Sequence, residues 1–506
     1  MSTYHLRLAA VLAAALGAGC SAPSAGPAPA ADAAGRSYGT LLFKPCTLTS
    51  TRASDNVEAR CATLQVAENP AALQGRRISL NIAWLEAGNA GKGKDDPVFF
   101  LAGGPGQAAT EVAAVINQSL REVRKQRDII LVDQRGTGKS KPLTCLGADG
   151  KELALDETAT PSAALIRDFA ARCAASLADR ADTRFYTTTQ AIADIDAVRA
   201  ALGVDKINLI GGSYGTRVAQ HYAARYPQHT RSVVIDGVAP NDVVVGGDFA
   251  DTFEAAIDLQ ATQCRQDPAC AKRFPVDTRT QLRNVMTTLA KAPVEVEYRD
   301  PGTAETRRDT LTADSVTGLA FMFSYMPELS SLLPVVLDEA AQGRYAPLMS
   351  LSRMAGRSLG VQMNRGMQWS VICAEDADRY REPAASDRLL GPEVARMFFA
   401  ACPAWNVGSR PRDFTAPFSS TLPVLLLSGE FDPVTPPRYA EQVLKTLPNG
   451  RHLLAKGQGH GTLGAGCMPR LLGQFLDSTD AKALDARCLD TLSPVPAFTS
   501  FNGWEP

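Results

Sequence analysis

The sequence carries almost no net charge, because its 52 basic residues nearly balance its 53 acidic ones. Proteins that bind nucleic acids or other polyanions need a basic surface that neutralises phosphates. The balance therefore argues against a nucleic-acid partner. The sequence also lacks any Cys-x-x-Cys pair and any cluster of histidine with cysteine, so we predict no metal site and no cofactor.

The amino end lacks an apolar run long enough to span a bilayer. Arg7 precedes nine apolar residues, 8–16, whereas a bilayer-spanning helix needs about 20. This pattern predicts a signal peptide over residues 1–20. Cys20 follows an Ala-Gly pair, which resembles the bacterial lipobox and implies lipidation of Cys20; ordinary signal-peptide cleavage nearby is the alternative. We therefore expect export, either to the cell envelope with Cys20 as the only membrane anchor or as a secreted protein.

Ten cysteines remain when Cys20 is set aside, and this even number indicates disulfide bonds in an exported protein. The order along the chain suggests five local couples. Sequence alone leaves the connectivity open, and buried free thiols are the alternative. The couples are Cys46 with Cys61, Cys145 with Cys173, Cys264 with Cys270, Cys373 with Cys402, and Cys467 with Cys488.

Strand-like apolar segments alternate with helical ones in two separate parts of the chain, 41–243 and 416–506. This alternation predicts one α/β core with a mostly parallel central sheet and right-handed crossovers. Residues 244–415 are mostly helical in composition and are predicted to form an inserted cap. Residues 21–40, rich in Ala, Pro, Ser and Gly, are expected to be a flexible linker. The predicted strands are 62–66, 78–84, 97–101, 128–132, 207–210, 232–235, 422–427 and 452–454.

A Gly-x-Ser-x-Gly motif, Gly211-Gly-Ser-Tyr-Gly215, stands between the predicted strand 207–210 and a helical segment that begins at Thr216. A strand, a sharp turn and a helix are the context that a nucleophile elbow requires. Glycines two positions either side of the serine relieve collisions that side chains would cause. The motif therefore predicts an exposed Ser213 hydroxyl at the carboxyl edge of the sheet.

A serine hydroxyl becomes a nucleophile when an imidazole takes its proton and a carboxylate orients that imidazole. Only five histidines are available, and His460 lies in a glycine-rich loop after the last predicted strand. Asp432 follows the preceding strand, in a loop that also carries Pro433 and Pro436. The order serine, acid, histidine is the one expected for this kind of fold, so we predict Ser213, Asp432 and His460 as the catalytic triad. Asp236 is the alternative acid, and Glu430 is a nearby carboxylate that we expect to point elsewhere.

The oxyanion of a tetrahedral intermediate needs preorganised backbone donors. We predict one at Tyr214, the residue after the serine. The second is predicted at Gly104, with Gly103 as the next choice, because this Gly-Gly pair follows the strand 97–101. A simple tight turn is the alternative for this segment.

Five motifs occur together and in order, and jointly they resemble a known family. They are Gly103-Gly-Pro-Gly106, Asp133-Gln-Arg-Gly-Thr-Gly138, Gly211-Gly-Ser-Tyr-Gly215, Gly429-Glu-Phe-Asp-Pro-Val-Thr-Pro436 and Gly459-His-Gly461. The chain resembles the α/β-hydrolase family of exported tripeptidyl aminopeptidases and their relatives, the prolyl aminopeptidases, over residues 40–490. Ala102 and Tyr214 stand where prolyl aminopeptidases usually carry His and Trp, which favours the tripeptidyl branch. The resemblance implies an α/β-hydrolase fold with a helical cap and a serine exopeptidase, expected to be a monomer, whose partners are peptides with free N-termini.

An aminopeptidase must recognise an ammonium group, which requires a carboxylate near the serine. The segment that ends in Glu375-Asp376 resembles the part of the family that supplies acidic residues for the substrate amine. We predict Glu375 first and Asp376 second for this role. A solvated pair of surface acids is the alternative.

Three functions are compatible with these motifs. The first is a serine aminopeptidase that works through an acyl-enzyme, and the second is an esterase or other small-molecule hydrolase with the same triad, since a fold does not determine a substrate. The third is a binding protein that keeps the fold without catalysis. The complete set of Ser213, Asp432 and His460 argues against the third.

Overall fold

The computed structural model describes residues 35–49, 55–88, 93–154, 162–358, 363–382 and 387–503. The predicted signal peptide, the lipidation candidate Cys20 and residues 21–34 of the predicted linker lie outside these ranges. Across the described residues, the strands are β1 Arg36–Tyr38, β2 Leu41–Leu48, β3 Val57–Ala67, β4 Arg77–Leu85, β5 Val98–Leu101, β6 Ile129–Val132, β7 Ile207–Gly212, β8 Thr230–Asp236, β9 Val294–Arg299, β10 Thr306–Leu311, β11 Val424–Gly429 and β12 Gly450–Ala455.

The helices cover both faces of the main sheet and form most of the inserted segment. In chain order they are α1 Ala113–Ser119, α2 Arg121–Arg124, α3 Ala163–Leu177, α4 Thr188–Ala201, α5 Tyr214–Arg225, α6 Phe249–Gln266, α7 Pro268–Arg273, α8 Thr278–Lys291, α9 Ala313–Ser324, α10 Pro327–Ser330, α11 Leu333–Ala341, α12 Ala346–Ser358, α13 Arg365–Glu375, α14 Pro392–Phe399, α15 Pro437–Leu444 and α16 Met468–Ser478.

In the described part of the chain, ten strands form one sheet in the order β1-β2-β3-β4-β6-β5-β7-β8-β11-β12. β1 to β4 pair antiparallel, and β4 also pairs antiparallel with β6. The other neighbouring strands of this sheet, β6, β5, β7, β8, β11 and β12, are all parallel to one another. Parallel strands joined by helices place their carboxyl ends at one edge, where α/β proteins bind ligands. The predicted α/β core with a mostly parallel sheet is confirmed.

Neighbouring residues of the central strands belong to different hydrophobic clusters, because successive side chains of a strand point to opposite faces. Leu209 packs in the cluster on one face, together with Val218 of α5. Ile210 packs in the cluster on the other face, together with Leu472 of α16. Both faces are therefore covered, which explains the continuous apolar runs of these strands.

The inserted segment between β8 and β11 has its own hydrophobic core, built mainly from α6, α8, α9, α11 and α12. It also contains an antiparallel hairpin of β9 and β10, which the prediction of a largely helical cap did not include. The alternation of Val294, Val296 and Tyr298 with glutamates was the available signal for a strand. α13 packs through Met367 and Trp369 in the main core, although the predicted cap included it.

One strand lies inside the segment that was predicted to be a flexible linker. β1 lies inside residues 21–40 and pairs with β2. Tyr38 explains this difference, because its ring packs 4.9 Å from that of Trp84, centroid to centroid. A short strand with an aromatic anchor can be ordered even after a sequence rich in small residues.

Among the described residues, ten cysteines form five disulfides in the couples that chain order suggested. Such bonds persist in oxidising compartments, so they indicate an extracytoplasmic protein. No helix in the described ranges combines the length and the hydropathy needed to cross a membrane.

Candidate active site

Ser213 lies in a strained turn between β7 and α5. Its backbone has φ of 56° and ψ of −125°, a region that residues with a side chain rarely adopt. A Cβ added to Gly211 would lie 2.3 Å from the carbonyl oxygen of Gly215, and one added to Gly215 would lie 2.1 Å from that of Leu101. Both approaches are too close for any side chain. The two flanking glycines are therefore required by the turn that presents Ser213.

The turn is held against the neighbouring strands. The Ser213 N–H donates to the carbonyl oxygen of Asp236 at the end of β8, at 2.9 Å. On the other side, a Cβ added to Gly103 would lie 2.9 Å from Ser213 Cβ and 3.5 Å from its Oγ. The segment after β5 thus passes directly beside the Ser213 side chain.

His460 and Asp432 form a buried pair in the loops after β12 and β11. His460 Nδ1 donates to Asp432 Oδ2 at 2.7 Å. The other carboxylate oxygen, Oδ1, accepts from the N–H groups of Val434 and Thr435 at 2.9 and 2.8 Å. Thr435 Oγ1 donates to Asp432 Oδ2 at 2.8 Å and lies 3.1 Å from His460 Nδ1. These bonds hold the carboxylate and the ring in one orientation.

The pair shifts the pKa of each member toward the charged form. Burial alone lowers the pKa of His460, but the charge and hydrogen bond of Asp432 and the charge of Asp236 outweigh it, so the pKa is raised. Burial alone raises the pKa of Asp432, yet His460 and the backbone donors lower it overall. An ionised Asp432 beside a ring that readily accepts a proton is the electrostatic requirement for general-base catalysis.

The ring of His460 is placed by two further contacts. The His460 backbone N–H donates to the carbonyl oxygen of Tyr325 at 2.9 Å, and the two rings meet edge to face at 5.2 Å between centroids. A Cβ added to Gly237, the residue after Asp236, would lie 3.0 Å from His460 Cε1. His460 therefore lies beside the end of β8, which also binds the Ser213 backbone. In the described structure the Ser213 hydroxyl makes no hydrogen bond to His460, and such bonds often tighten only when substrate is bound.

Two other described histidines, His221 and His229, have local partners instead. His221 stacks on Phe414 at 4.2 Å between ring centroids, and burial, aided by the charge of Arg217, lowers its pKa to about 3. His229 Nδ1 lies 2.8 Å from Asp196 Oδ1 on the far side of α5. His5 lies outside the described residues.

The two alternative acids bind backbone elsewhere. Asp236 Oδ2 accepts from the N–H groups of Thr462 and Leu463 at 2.6 and 3.0 Å, so it anchors the loop that carries His460. Glu430 Oε2 accepts from the Gly457 N–H at 2.8 Å. The structure therefore brings Asp432, and neither alternative, to the imidazole.

A pocket opens above the Ser213 side chain, and we call it the Ser213 pocket. Its walls combine the elbow, the segment after β8, the carboxyl end of α9 and the loop after β11. Its lining residues are Gly104, Ser213, Tyr214, Ala239, Val243, Val244, Val245, Gly246, Asp248, Phe249, Tyr325, Val434, Thr435 and Tyr439.

The predicted oxyanion donors, Gly103, Gly104 and Tyr214, all lie close to the Ser213 side chain. Gly104 has φ of 108° and lines the Ser213 pocket together with Tyr214. The Gly103 N–H instead donates to Gln107 Oε1 at 3.3 Å. The Gly104 N–H has no acceptor among the described residues, and Tyr214 begins α5, where backbone N–H groups lack intrahelical partners.

Glu375 and Asp376 are not among the residues that line the Ser213 pocket. Both are buried, with exposed fractions of 1% and 0%. Glu375 accepts from the Thr188 N–H at 2.7 Å and from its hydroxyl at 2.9 Å, and that hydroxyl also bonds the Tyr214 hydroxyl at 2.6 Å. Asp376 Oδ2 accepts from Arg217 at 2.9 Å. The two acids are therefore not a solvated surface pair, because they bond Thr188 and Arg217 in a buried network. Their predicted role in binding the substrate amine stays a prediction.

Sequence reasoning missed three residues of the site. Thr435 could have been found, because a hydroxyl residue three positions after Asp432 is placed to close a local hydrogen-bonded turn. Tyr325 and Asp248 come from the inserted segment and reach the Ser213 pocket only through its packing. No local pattern indicates their position.

A serine on a strained strand-to-helix turn, a histidine–aspartate pair after later strands and a mostly parallel sheet define the α/β hydrolases. Residues 96–464 match the family model described as alpha/beta hydrolase fold, and the chain belongs to that family. It is a serine hydrolase.

Several relatives of the chain carry peptidase names. It is 26% identical to "Serine protease Hip1" of Mycobacterium tuberculosis (strain ATCC 25618 / H37Rv) over 422 residues, which cover 76% of this chain and 79% of the relative. It is 29% identical to "Tripeptidyl aminopeptidase" of Streptomyces lividans over 194 residues, 35% of each chain. Among solved structures, the proline iminopeptidase of Mycobacterium smegmatis is similar, with a TM-score of 0.37 and 16% identity over 83% of this chain and 100% of that one.

Proposed function

We propose that the protein is an exported serine aminopeptidase that cleaves peptides near their free N-termini through an acyl-enzyme. The observation that carries the proposal is the 2.7 Å bond from His460 Nδ1 to Asp432, formed beside the elbow that presents Ser213. The peptidase names of the relatives support the substrate class. The five disulfides, together with the apolar run before Cys20, support export.

In this proposal Ser213 Oγ attacks the scissile carbonyl carbon while His460 Nε2 accepts the hydroxyl proton. Asp432 keeps the other ring nitrogen protonated, which leaves Nε2 free as the base, and it stabilises the imidazolium that forms. The tetrahedral intermediate collapses when His460 gives the proton to the leaving amine. A water then attacks the acyl-enzyme while His460 Nε2 accepts its proton; the second intermediate collapses as His460 returns that proton to Ser213 Oγ, which releases the acid and regenerates the serine.

The oxyanion is proposed to accept from the N–H groups of Gly104 and Tyr214. Both residues line the Ser213 pocket, and the Gly104 N–H has no competing acceptor among the described residues. Gly103 is the weaker donor, since Gln107 already accepts from its N–H. The loss of one such donor typically lowers kcat by about 10²- to 10³-fold.

The proposal is tested with p-nitroanilides of one, two and three alanines, each free and N-acetylated, and with p-nitrophenyl acetate. The wild type should cleave at least one free peptide with a kcat/KM well above that of its acetylated form. Ser213→Ala should lower turnover of every substrate by about 10³-fold or more, because the nucleophile is lost. Ser419→Ala, at an exposed serine, is the matched control and should match the wild type.

The same experiment separates the alternative hydrolase. Hydrolysis of the ester without any of the free peptides would favour an esterase, which the same triad would also serve. Near-normal activity in Ser213→Ala, with an unchanged melting temperature, would show that the nucleophile lies elsewhere.

A further inference from the structure

One carboxylate, that of Asp248, lines the Ser213 pocket, and no sequence motif indicated it. Of the described residues that line this pocket, Asp248 alone is acidic, and most of the others are apolar. Val243, Val244 and Phe249 form the wall around it. A charged group on an otherwise apolar wall is the usual arrangement by which a pocket fixes the orientation of a ligand.

Asp248 forms no ion pair within the described part of the chain. No ion pair links it to a described lysine, arginine or histidine, whereas Asp376 is paired with Arg217 and Arg379. Its one side-chain hydrogen bond comes from the Tyr439 hydroxyl, which donates to Oδ2. Burial raises the pKa of Asp248 to about 6, a shift that the charge of Arg438 reduces and that of Asp251 increases. A half-buried carboxylate of this kind is stabilised when a cation binds to it.

The ordinary structural role of an aspartate at this position is absent. Asp248 is the N-cap residue of α6, where an aspartate usually accepts from the first backbone N–H groups of its helix. Here its side chain makes no capping hydrogen bond. By contrast, Asp267 and Asp277 both cap the helices that follow them. The carboxylate is instead turned to Tyr439, at the pocket.

We propose that Asp248, oriented by the Tyr439 hydroxyl, binds the free α-amino group of the peptide substrate. This inference rests on the proposed aminopeptidase function and identifies its specificity-determining residue. The ammonium group would donate to the Asp248 carboxylate, while the carbonyl of the scissile bond lies at Ser213 in the same pocket. A peptide with a blocked N-terminus would leave the carboxylate without its cation and is discriminated against for that reason.

Glu375 and Asp376, in contrast to Asp248, already have a basic partner. Arg217 lies 3.9 Å from Glu375 and 2.9 Å from Asp376, so the cation that these acids require is already present. Tyr214 belongs to both, since it lines the pocket and its hydroxyl bonds Thr188 of their network. A substrate amine would have to break that network to reach either acid.

The test compares Asp248→Asn with the wild type on whichever free p-nitroanilide of one, two or three alanines the wild type cleaves best, on its N-acetylated form and on p-nitrophenyl acetate. The ratio of kcat/KM for the free peptide to that for the ester should fall about 10- to 100-fold, the range for the loss of a charged hydrogen bond. Tyr439→Phe keeps the carboxylate and should lower the ratio by less. Asp258→Asn, an exposed aspartate of the same helix, should leave the ratio unchanged.

The outcomes are distinguishable. A wild type that cleaves free and acetylated peptides equally well contradicts the aminopeptidase function itself. A wild type that prefers free peptides, with the preference kept in Asp248→Asn, overturns only the role of Asp248. Loss of the preference in Glu375→Gln but not in Asp248→Asn would assign the amine to Glu375. Ester turnover and the melting temperature of each variant report on folding, so a misfolded variant is recognised.

Discussion

The chemistry of the site depends on which histidine lies against which carboxylate. His460 is the described imidazole that bonds a carboxylate at the edge where Ser213 lies, and the backbone donors of the Asp432 loop keep that carboxylate ionised. His221, two turns along the elbow helix, is stacked and has a pKa lowered to about 3 by burial. A histidine side chain therefore acts as a base or packs as part of the core, depending on its neighbours.

The raised pKa of His460 gives a prediction for the pH profile. The neutral ring is needed to accept the Ser213 proton, and the ring is protonated below its pKa. Because Asp432 and Asp236 hold this pKa above its ordinary value of about 6.5, kcat/KM should rise with pH and reach half its maximum above pH 6.5. p-Nitrophenyl acetate is the substrate to use, since it carries no amino group and does not report on Asp248.

Replacing Thr435 by valine is the companion measurement. The substitution removes the hydroxyl that bonds Asp432 Oδ2. The pH at which kcat/KM reaches half its maximum should therefore change if these bonds set the ionisation of His460 and Asp432. A half-maximal rate below pH 6.5 in the wild type would contradict the assignment of His460 as the base.

At the scale of elements, the elbow helix α5 is joined to α13 by a buried charge network. Arg217 of α5 is 0% exposed and bonds Asp376 at the end of α13, while Thr188 of α4 bonds Glu375. The network surrounds the Tyr214 side chain, directly after Ser213. Glu375 and Asp376, which the sequence suggested as ligands of the substrate amine, thus stabilise α5, the helix that follows the Ser213 turn.

Arg217→Met should destabilise the fold by about 3 to 5 kcal/mol, because it leaves the buried Glu375 without its cation and the buried Asp376 with Arg379 alone. Urea unfolding followed by circular dichroism measures this change. Arg225→Met, at an exposed position of the same helix, should alter stability by about 0.5 kcal/mol or less. Equal effects of the two substitutions would show that the network contributes no specific stability.

At the scale of the whole molecule, the inserted segment completes the site. The carbonyl oxygen of Tyr325, at the end of α9, accepts from the His460 N–H, and a Cβ at Gly459 would lie 2.2 Å from that oxygen. The Phe498 N–H donates to the Ser331 carbonyl oxygen at 2.8 Å, so the carboxyl-terminal segment crosses the same cap. Catalytic loop, cap and carboxyl-terminal segment are therefore in contact.

The disulfides give a prediction at this scale. Cys373–Cys402 closes a loop of 29 residues between α13 and the turn before β11, and Cys264–Cys270 closes one of 6. In the chain-entropy account, removing the first pair as a double serine variant should cost about 3 to 4 kcal/mol, and removing the second about 2 kcal/mol. Denaturant midpoints of the two variants measure the difference. A larger loss from the shorter loop would mean that lost packing, and not loop entropy, dominates.

Local sequence determined the fold class and the positions of Ser213, Asp432 and His460 in the chain. A strained turn needs glycines at set offsets, and parallel strands place their following loops at one edge, so both can be read from short patterns. The tertiary structure alone decided which carboxylates face the pocket, because Glu375 and Asp376 are closed off by Arg217 while Asp248 is brought in by the cap. Burial and the choice of partner depend on segments far apart in the chain, and no local pattern specifies what will pack against them.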